Sequence, residues 1–180
     1  MTTIIALNTP EDQAIYTDSL SDGAGIATRG NHKSAVIAPG CVMGWCGIRY
    51  VGVLAVRALQ KRNRLGVLED LFTGNEPIER LAVASSDVVD FAGLILFQGS
   101  IWVMHEELCP LTLPGHFAAR GSGAHFAMGA LAAGATPWQA LAIASQYDCQ
   151  TGAPFFRLDI SGELAHQYHA TREAAPYASP

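Results

Sequence analysis

Strand-like and helix-like segments follow one another in groups along this 180-residue chain, and their order limits the folds that it can adopt. Two strand-forming runs come first, TTIIALN and QAIYTDS. After the glycine-rich connection SDGAGIATRGN come two more, KSAVIA and CVMGWCG. Apolar residues at helical spacing then predict one helix from Arg49 to Arg64 and a second over much of Pro77 to Val89.

The second half of the chain repeats this order. FAGLILFQGSIWVMHEE predicts a hairpin with its turn near Gln98, Gly99 and Ser100, and HFAARG predicts a further strand. Two alanine-rich helices follow, the second opened by Thr136 as N-cap and by Pro137, and PFFRLDI predicts the last strand. Helices in pairs argue against a doubly wound parallel sheet. They favour an α+β fold of mostly antiparallel sheets with helical layers outside.

Composition narrows the classes of function. At 180 residues the chain is expected to form one domain. It is 49% hydrophobic and only 15% charged, which suggests that some apolar surface is buried against other subunits. A net charge of -5 argues against nucleic acid or an anionic membrane as a partner. No segment has the form of a signal peptide or of a membrane span. The four cysteines form no CxxC pair, so we expect a cytoplasmic protein with reduced thiols.

The chain begins MTT, and this start can be interpreted in two ways. Threonine is a common strand residue, so the pair Thr2 and Thr3 can simply open the first strand. Alternatively, removal of Met1 would place a hydroxyl and a free α-amine on Thr2, which is what an N-terminal nucleophile requires.

Six segments, spread over some 150 residues, decide between these interpretations. They are TTII, YTDS, GNHKSAVI, MGWCG, RGSGAHFAMGALAAGAT and YDCQTGAPF. In this order and at this spacing they resemble the proteasome β-subunit and HslV peptidase group of N-terminal nucleophile hydrolases. The resemblance implies a four-layer αββα sandwich. We expect a single domain over residues 1–180, with Met1 removed, and expect the polar tail from about residue 163 to be loose. It also implies homo-oligomeric stacked rings of 12 or 14 subunits.

The resemblance further implies a threonine-type endopeptidase with the following catalytic residues. Thr2 would be the nucleophile and its α-amine the base, and the ordinary pKa of such an amine, about 7.7–8.0, suits proton transfer near neutral pH. Asp18 and Lys33 would flank that amine as a buried pair. Gly47 would offer its backbone N–H to the oxyanion.

Three further residues match positions that orient the nucleophile in this group. They are Ser122, which could also cap a helix, Asp148, and Thr151, which stands where serine is usual. Asp148 and Thr151 could instead form an ordinary helix end and turn.

The resemblance also implies substrate-binding residues. Ser21 and Asp22 would bind substrate through the backbone of the glycine-rich loop. Trp45 would line the pocket for the residue before the cleaved bond and narrow it, which favours small side chains.

The sequence departs from the group in one region. The interval from Asp18 to Lys33 is one residue shorter than in typical relatives, and Ser34 stands where a second lysine is common. We place the deletion in the glycine-rich loop and assign the catalytic role to Lys33. These departures keep open a ring-forming scaffold with weak or no catalysis. The same nucleophile could also serve an amidase that acts on a small molecule.

Other partners have weaker support in the sequence. His166 and His169 share the spacing of one helical face, but no third ligand accompanies them, so no metal is expected. Neither a Walker A motif nor a dinucleotide fingerprint occurs, and no cofactor is predicted. A peptide or unfolded protein is the expected substrate, and any dependence on ATP would come from a separate unfoldase.

Overall fold

The computed structural model describes residues 2–23, 26–28, 30–64, 66–74, 91–105 and 110–167. The helix predicted over Pro77 to Val89 lies outside these residues. The described strands are β1 (Thr3–Asn8), β2 (Gln13–Thr17), β3 (Ser21–Gly23), β4 (Ile26–Thr28), β5 (Ser34–Ala38), β6 (Cys41–Gly47), β7 (Phe91–Phe97), β8 (Ser100–Met104), β9 (Pro110–Leu113), β10 (Phe117–Gly121), β11 (Phe155–Asp159) and β12 (Leu164–Gln167). The described helices are α1 (Arg49–Arg64), α2 (Leu68–Thr73), α3 (Ala124–Ala132) and α4 (Pro137–Tyr147).

Two five-stranded sheets form the centre of the molecule. Sheet I has the strand order β10-β1-β2-β11-β12, and sheet II has the order β5-β6-β7-β8-β9. Neighbouring strands in both sheets run antiparallel. Helices α3 and α4 pack on sheet I, and α1 and α2 pack on sheet II. The α+β class and the four-layer αββα sandwich are therefore confirmed.

Alternation of side chains along the central strands fills three separate cores. On β6, Met43 and Trp45 face α1, whereas Val42 faces sheet I. On β1, Ile4 packs between the sheets and Ile5 packs under α3 and α4. Each sheet is thus buried on both faces, which explains the high apolar content of the chain.

The two sheets approach closely at Gly44. A Cβ built on Gly44 would lie 2.4 Å from Cγ2 of Ile15 in the opposite sheet. The same Cβ would lie 3.5 Å from Cγ2 of Thr17, which ends β2, and 3.6 Å from the carbonyl oxygen of Lys33, which precedes β5. The candidate site lies where these strand ends meet.

Some elements differ from the sequence expectations. The glycine-rich connection contains a small hairpin of β3 and β4, and α2 and β9 are further elements that the sequence pattern does not predict. The predicted loose tail also needs correction, because Leu164–Gln167 pair with β11. Asp159 stabilises the turn between these strands, since its Oδ1 accepts the backbone N–H groups of Ser161 and Glu163, both at 2.9 Å.

Candidate active site

Three strand ends bring Thr2, Asp18 and Lys33 together. Thr2 directly precedes β1, Asp18 directly follows β2, and Lys33 directly precedes β5. Because β1 and β2 pair with Ile4 opposite Thr17, their ends lie side by side in sheet I. Lys33 reaches them from sheet II. The three residues are 3%, 0% and 6% exposed, so their polar groups must find partners inside the protein.

The ammonium group of Lys33 has three acceptors. Its Nζ donates to Thr2 Oγ1, to the Leu20 carbonyl oxygen and, at 3.0 Å, to Asp18 Oδ1. An ammonium has three N–H groups, so these acceptors match its full donor capacity. Burial lowers the pKa of Lys33, and the nearby Asp18 carboxylate opposes that change. An ammonium at this position can stabilise negative charge on the Thr2 hydroxyl oxygen, and that role of Lys33 stays a prediction.

Asp18 is held by donors on both carboxylate oxygens. Oδ1 accepts the Thr3 N–H at 3.2 Å as well as Lys33 Nζ. Oδ2 accepts the N–H groups of Leu20 at 3.0 Å and Gly152 at 3.1 Å. Burial raises the pKa of Asp18, and Lys33 and these donors work against the rise. We refer to Thr2, Asp18, Leu20 and Lys33 as the Asp18 cluster.

The main chain of Thr2 is fixed from the other side by the end of β10. The Ser122 N–H donates to the Thr2 carbonyl oxygen at 3.0 Å. Gly121, just before it, has a φ of +101°, and a Cβ built there would lie 1.6 Å from the same oxygen. Only glycine fits at this position, for both its backbone conformation and its space.

A second group of polar side chains lies beside the first. Ser122 Oγ and Thr151 Oγ1 each donate to Asp148 Oδ2 at 2.6 Å, and the Gln150 N–H donates to Oδ1 at 3.1 Å. Burial acts to raise the pKa of Asp148, but these hydrogen bonds outweigh it and hold the pKa below its usual range. We refer to Ser122, Asp148 and Thr151 as the Asp148 cluster.

The contacts of the Asp148 cluster differ from those of a simple helix cap or turn. Gly123 occupies the N-cap position of α3, and no side chain caps that helix. The Ser122 hydroxyl is instead directed to Asp148. Asp148 does end α4, where its N–H donates to the Ala144 carbonyl at 2.8 Å, and its side chain binds the two hydroxyl groups as well.

Gly47 ends β6, opposite Phe91 of β7. Its φ is +87°, a conformation that residues with side chains rarely adopt. The same strand is tied to the Asp18 cluster two residues earlier, because the Trp45 N–H donates to the Lys33 carbonyl oxygen at 2.9 Å. The oxyanion role of Gly47 stays a prediction.

The predicted substrate-binding residues lie on two elements next to the Asp18 cluster. Ser21 and Asp22 belong to β3, directly after Leu20. Trp45 lies on the face of β6 that packs against α1, and its ring covers Gly52, where a built Cβ would lie 2.1 Å from Cδ1 of the indole. The Trp45 side chain is therefore buried in the outer layer. Its role in selecting substrates stays a prediction.

Sequence reasoning missed several residues that complete the site. The Thr3 hydroxyl hydrogen-bonds to Thr151 Oγ1 at 2.6 Å, and the Leu20 carbonyl accepts from Lys33. Gly121 and Gly123 leave room for the threonines at the start of the chain. The glycines on either side of Ser122 are visible in the sequence and could have indicated close packing there. The Leu20 carbonyl, as a backbone group, has no sequence signal.

The described residues lack both a metal-binding cluster and a membrane-spanning helix. They contain no group of three or more His, Cys, Asp or Glu side chains that could hold a metal ion. Among the helices described, none is long and apolar enough to cross a membrane.

Comparison with known proteins identifies solved structures with a similar fold. No protein-family model matches the chain, and no curated protein matches its sequence. Solved structures that match include eukaryotic HslV from Trypanosoma brucei, with a TM-score of 0.67 and 16% identity over 93% of this chain and 100% of that one. Thiobacillus denitrificans BPH in complex with epoxomicin matches with a TM-score of 0.62 and 17% identity over 89% and 100%. A second structure of that BPH gives 0.61 and 17% over 90% and 100%. The chain therefore has the fold of HslV and of T. denitrificans BPH, which confirms, at the level of the fold, the resemblance to the proteasome β-subunit and HslV group.

Proposed function

We propose that this chain is a threonine-type N-terminal nucleophile hydrolase that cleaves peptide bonds, with Thr2 as the nucleophile after Met1 is removed. One observation carries the proposal. A buried lysine ammonium donates to the Thr2 hydroxyl while Asp18 and the Leu20 carbonyl hold it in place. A lysine in such a position serves to stabilise an alkoxide.

In the first half of the reaction, the Thr2 oxygen attacks the carbonyl carbon of the scissile peptide bond. The α-amine of Thr2 takes the hydroxyl proton, directly or through a water, and Lys33 stabilises the oxygen as it loses that proton. The carbonyl oxygen becomes an oxyanion, which the Gly47 N–H would stabilise. The amine then gives the proton to the leaving nitrogen, the C–N bond breaks, and an ester with Thr2 remains.

In the second half, water attacks the ester and gives up a proton to the α-amine. The bond between the carbonyl carbon and Thr2 oxygen breaks, and the proton returns to that oxygen. The Asp148 cluster would keep the main chain of Thr2 in place through both halves, because Ser122 binds the Thr2 carbonyl. No metal or cofactor is required by this scheme.

We further propose that the chain acts in the cytoplasm as homo-oligomeric stacked rings of 12 or 14 subunits, on peptides or on unfolded proteins that a separate unfoldase delivers. Exposed apolar side chains on the outer helices support assembly. Phe126 of α3 and Tyr147 of α4 are 41% and 68% exposed and stack with ring centroids 5.4 Å apart. Large apolar groups of this kind are typical of surfaces that pack against other subunits.

The contact between Lys33 and Thr2 favours an enzyme over the scaffold alternative. That alternative rests on the short interval between Asp18 and Lys33, and Lys33 nevertheless donates to both Thr2 and Asp18. A scaffold would also have no need for a lysine buried with its charge beside a hydroxyl, since burial of such a group is costly.

The test is an intact-mass measurement on the purified protein before and after treatment with a threonine-directed β-lactone or epoxyketone. Wild type, Thr2→Ala and Thr112→Ala are compared, the last because Thr112 is an exposed threonine of β9 away from the site. We expect loss of Met1 and a single adduct in wild type and in Thr112→Ala, and no adduct in Thr2→Ala. Casein and fluorogenic peptides should be cleaved by wild type and by Thr112→Ala, and not by Thr2→Ala.

Other outcomes would contradict the proposal. Retained Met1, or a wild type that lacks Met1 but forms no adduct and cleaves nothing, would exclude Thr2 as nucleophile and support the scaffold. Turnover of a small amide without cleavage of peptides would support the amidase.

A further inference from the structure

Thr3 is bound through all three of its polar groups. Its N–H donates to Asp18 Oδ1 at 3.2 Å, and its carbonyl accepts the Asp18 N–H at 3.1 Å. Its hydroxyl lies 2.6 Å from Thr151 Oγ1, and the residue is 0% exposed. Pairing between strand ends uses only the N–H and carbonyl groups, so the contact of the hydroxyl group requires a separate explanation.

The direction of the hydroxyl contact follows from counting hydrogens. Thr151 has one hydroxyl proton, and it is donated to Asp148 Oδ2. Thr3 must therefore be the donor in its bond to Thr151. The resulting chain runs from Thr3 through Thr151 to Asp148, which also accepts from Ser122. Because the Ser122 N–H binds the Thr2 carbonyl, the chain returns to the main chain next to Thr3.

The space around this chain of hydroxyls is closed by a glycine. A Cβ built on Gly123 would lie 2.4 Å from Thr3 Oγ1, 2.9 Å from Thr151 Oγ1 and 3.1 Å from Ala144 Cβ. Gly123 has a φ of -88°, which any residue adopts, so its backbone does not demand glycine. Glycine is required here because the hydroxyl groups of Thr3 and Thr151 occupy the space that a Cβ would need.

From this geometry, and resting on the proposed function, we propose that Thr3 is a positioning residue whose hydroxyl ties the Asp18 cluster, which contains Thr2, to the Asp148 cluster and so holds Thr2 in place. Thr3 does not touch the reacting atoms. Without its hydroxyl, Thr151 keeps its bond to Asp148, but the link across the site is lost. The Thr2 oxygen then spends less time in line with its target, which lowers kcat and leaves substrate binding unchanged.

The test compares Thr3→Val with Thr17→Val in steady-state peptide hydrolysis. Both change a fully buried strand threonine to its isostere, but the Thr17 hydroxyl has no hydrogen-bond partner among the described residues. For Thr3→Val we expect a kcat about ten-fold lower and a KM within about two-fold of wild type. Thr17→Val and Thr3→Ser should both keep kcat within about three-fold, because neither removes a hydroxyl bond of the chain.

The outcomes separate this inference from the proposed function. A wild type that forms no β-lactone adduct and hydrolyses nothing overturns the proposed function and this inference with it. An active wild type with an equally active Thr3→Val, or with a change in KM alone, overturns the inference only. If Thr3→Val fails to fold, Thr3→Ser and Thr3→Ala replace it, since these two differ only in the hydroxyl. Equal kcat values for that pair would then refute the role.

Discussion

Replacing Lys33 by methionine tests the most consequential contact of the site. Methionine keeps most of the length of the side chain and removes the charge. Among the described residues, Asp18 then keeps three backbone N–H donors, from Thr3, Leu20 and Gly152, around a carboxylate that is 0% exposed. The variant therefore leaves a buried charge without its counter-ion.

Two considerations bound the loss of stability. At the 3.0 Å separation of Lys33 Nζ and Asp18 Oδ1, an effective dielectric constant near 20 gives about 5–6 kcal/mol of attraction. Much of that attraction offsets the cost of burying both ions, and removal of one partner of a buried pair typically costs about 3–5 kcal/mol. Asp18 can also escape by taking up a proton. From an ordinary pKa of about 3.9, at 1.36 kcal/mol per unit, this sets a ceiling of about 4 kcal/mol at pH 7.

We therefore expect Lys33→Met to lower the free energy of unfolding by about 3 kcal/mol at pH 7, because the backbone donors remain. The loss should depend on pH. In the variant, Lys33 no longer opposes the burial that raises the pKa of Asp18, so the native state holds a proton that the unfolded state has released. Stability then falls as pH rises above the ordinary pKa. At pH 5 the part of the loss that comes from the unpaired charge is at most about 1.5 kcal/mol.

The assay is urea unfolding of wild type, Lys33→Met and Lys61→Met at pH 5 and pH 7. Lys61 is the other lysine of the chain and lies exposed on α1, so its variant should stay within about 0.5 kcal/mol of wild type. The double variant Lys33→Met with Asp18→Asn should recover much of the loss at pH 7. An equal loss at both pH values would refute the reasoning, because lost packing of the lysine stem, rather than an orphaned charge, would then explain it.

Three further predictions concern the surrounding shell. Gly52→Ala should lower stability by about 1–3 kcal/mol in chemical unfolding, because its methyl group would meet the Trp45 ring, and Trp45→Leu should relieve the loss in the double variant. Asp148→Asn should be less stable than wild type at pH 6, and the difference should shrink below about pH 4. The reason is that a depressed carboxyl pKa adds stability to the native state that is lost when the carboxylate is protonated. An equal difference in stability at pH 6 and pH 3 would contradict this. If Trp45 narrows the substrate pocket, fluorogenic peptides should be cleaved faster after Ala than after Leu or Phe, and the reverse order would exclude that role.

The main layers of the fold could be predicted because most of the sheet strands and the long helices have apolar residues at the spacing typical of their type. The shorter elements could not. Helix α2 has six residues, too few to be stable alone, and it forms because Leu68, Leu71 and Phe72 are buried against sheet II and α1. Strand β12 likewise depends on the turn at Asp159, where the carboxylate accepts the backbone N–H groups of Ser161 and Glu163. These donors are backbone groups, so the side chains of the two residues do not indicate the contacts.

In the site, residue type and order located the side chains that carry charge or a reactive hydroxyl. The contacts that orient them were harder to predict. The Leu20 carbonyl accepts from Lys33 whatever side chain Leu20 bears, so no sequence pattern marks it. Thr3 could be recognised in the sequence as a strand threonine, but the pattern gives its hydroxyl no role. That role depends on the fold, which brings Thr151 Oγ1 within 2.6 Å of the Thr3 hydroxyl.

The short interval between Asp18 and Lys33 was the main reason to doubt catalysis, and its effect depends on where Lys33 is anchored. If the loop alone placed Lys33, one residue fewer would move its Nζ by as much as the 3.3–3.6 Å that an extended residue spans. Lys33 is instead anchored to sheet II, because its carbonyl accepts the Trp45 N–H at 2.9 Å. The preceding residue, His32, adds a second anchor, since its ring lies 4.2 Å from that of Phe156 in sheet I. With both anchors in the sheets, the position of Lys33 does not depend on the length of the loop alone, and Lys33 lies at ion-pair distance from Asp18.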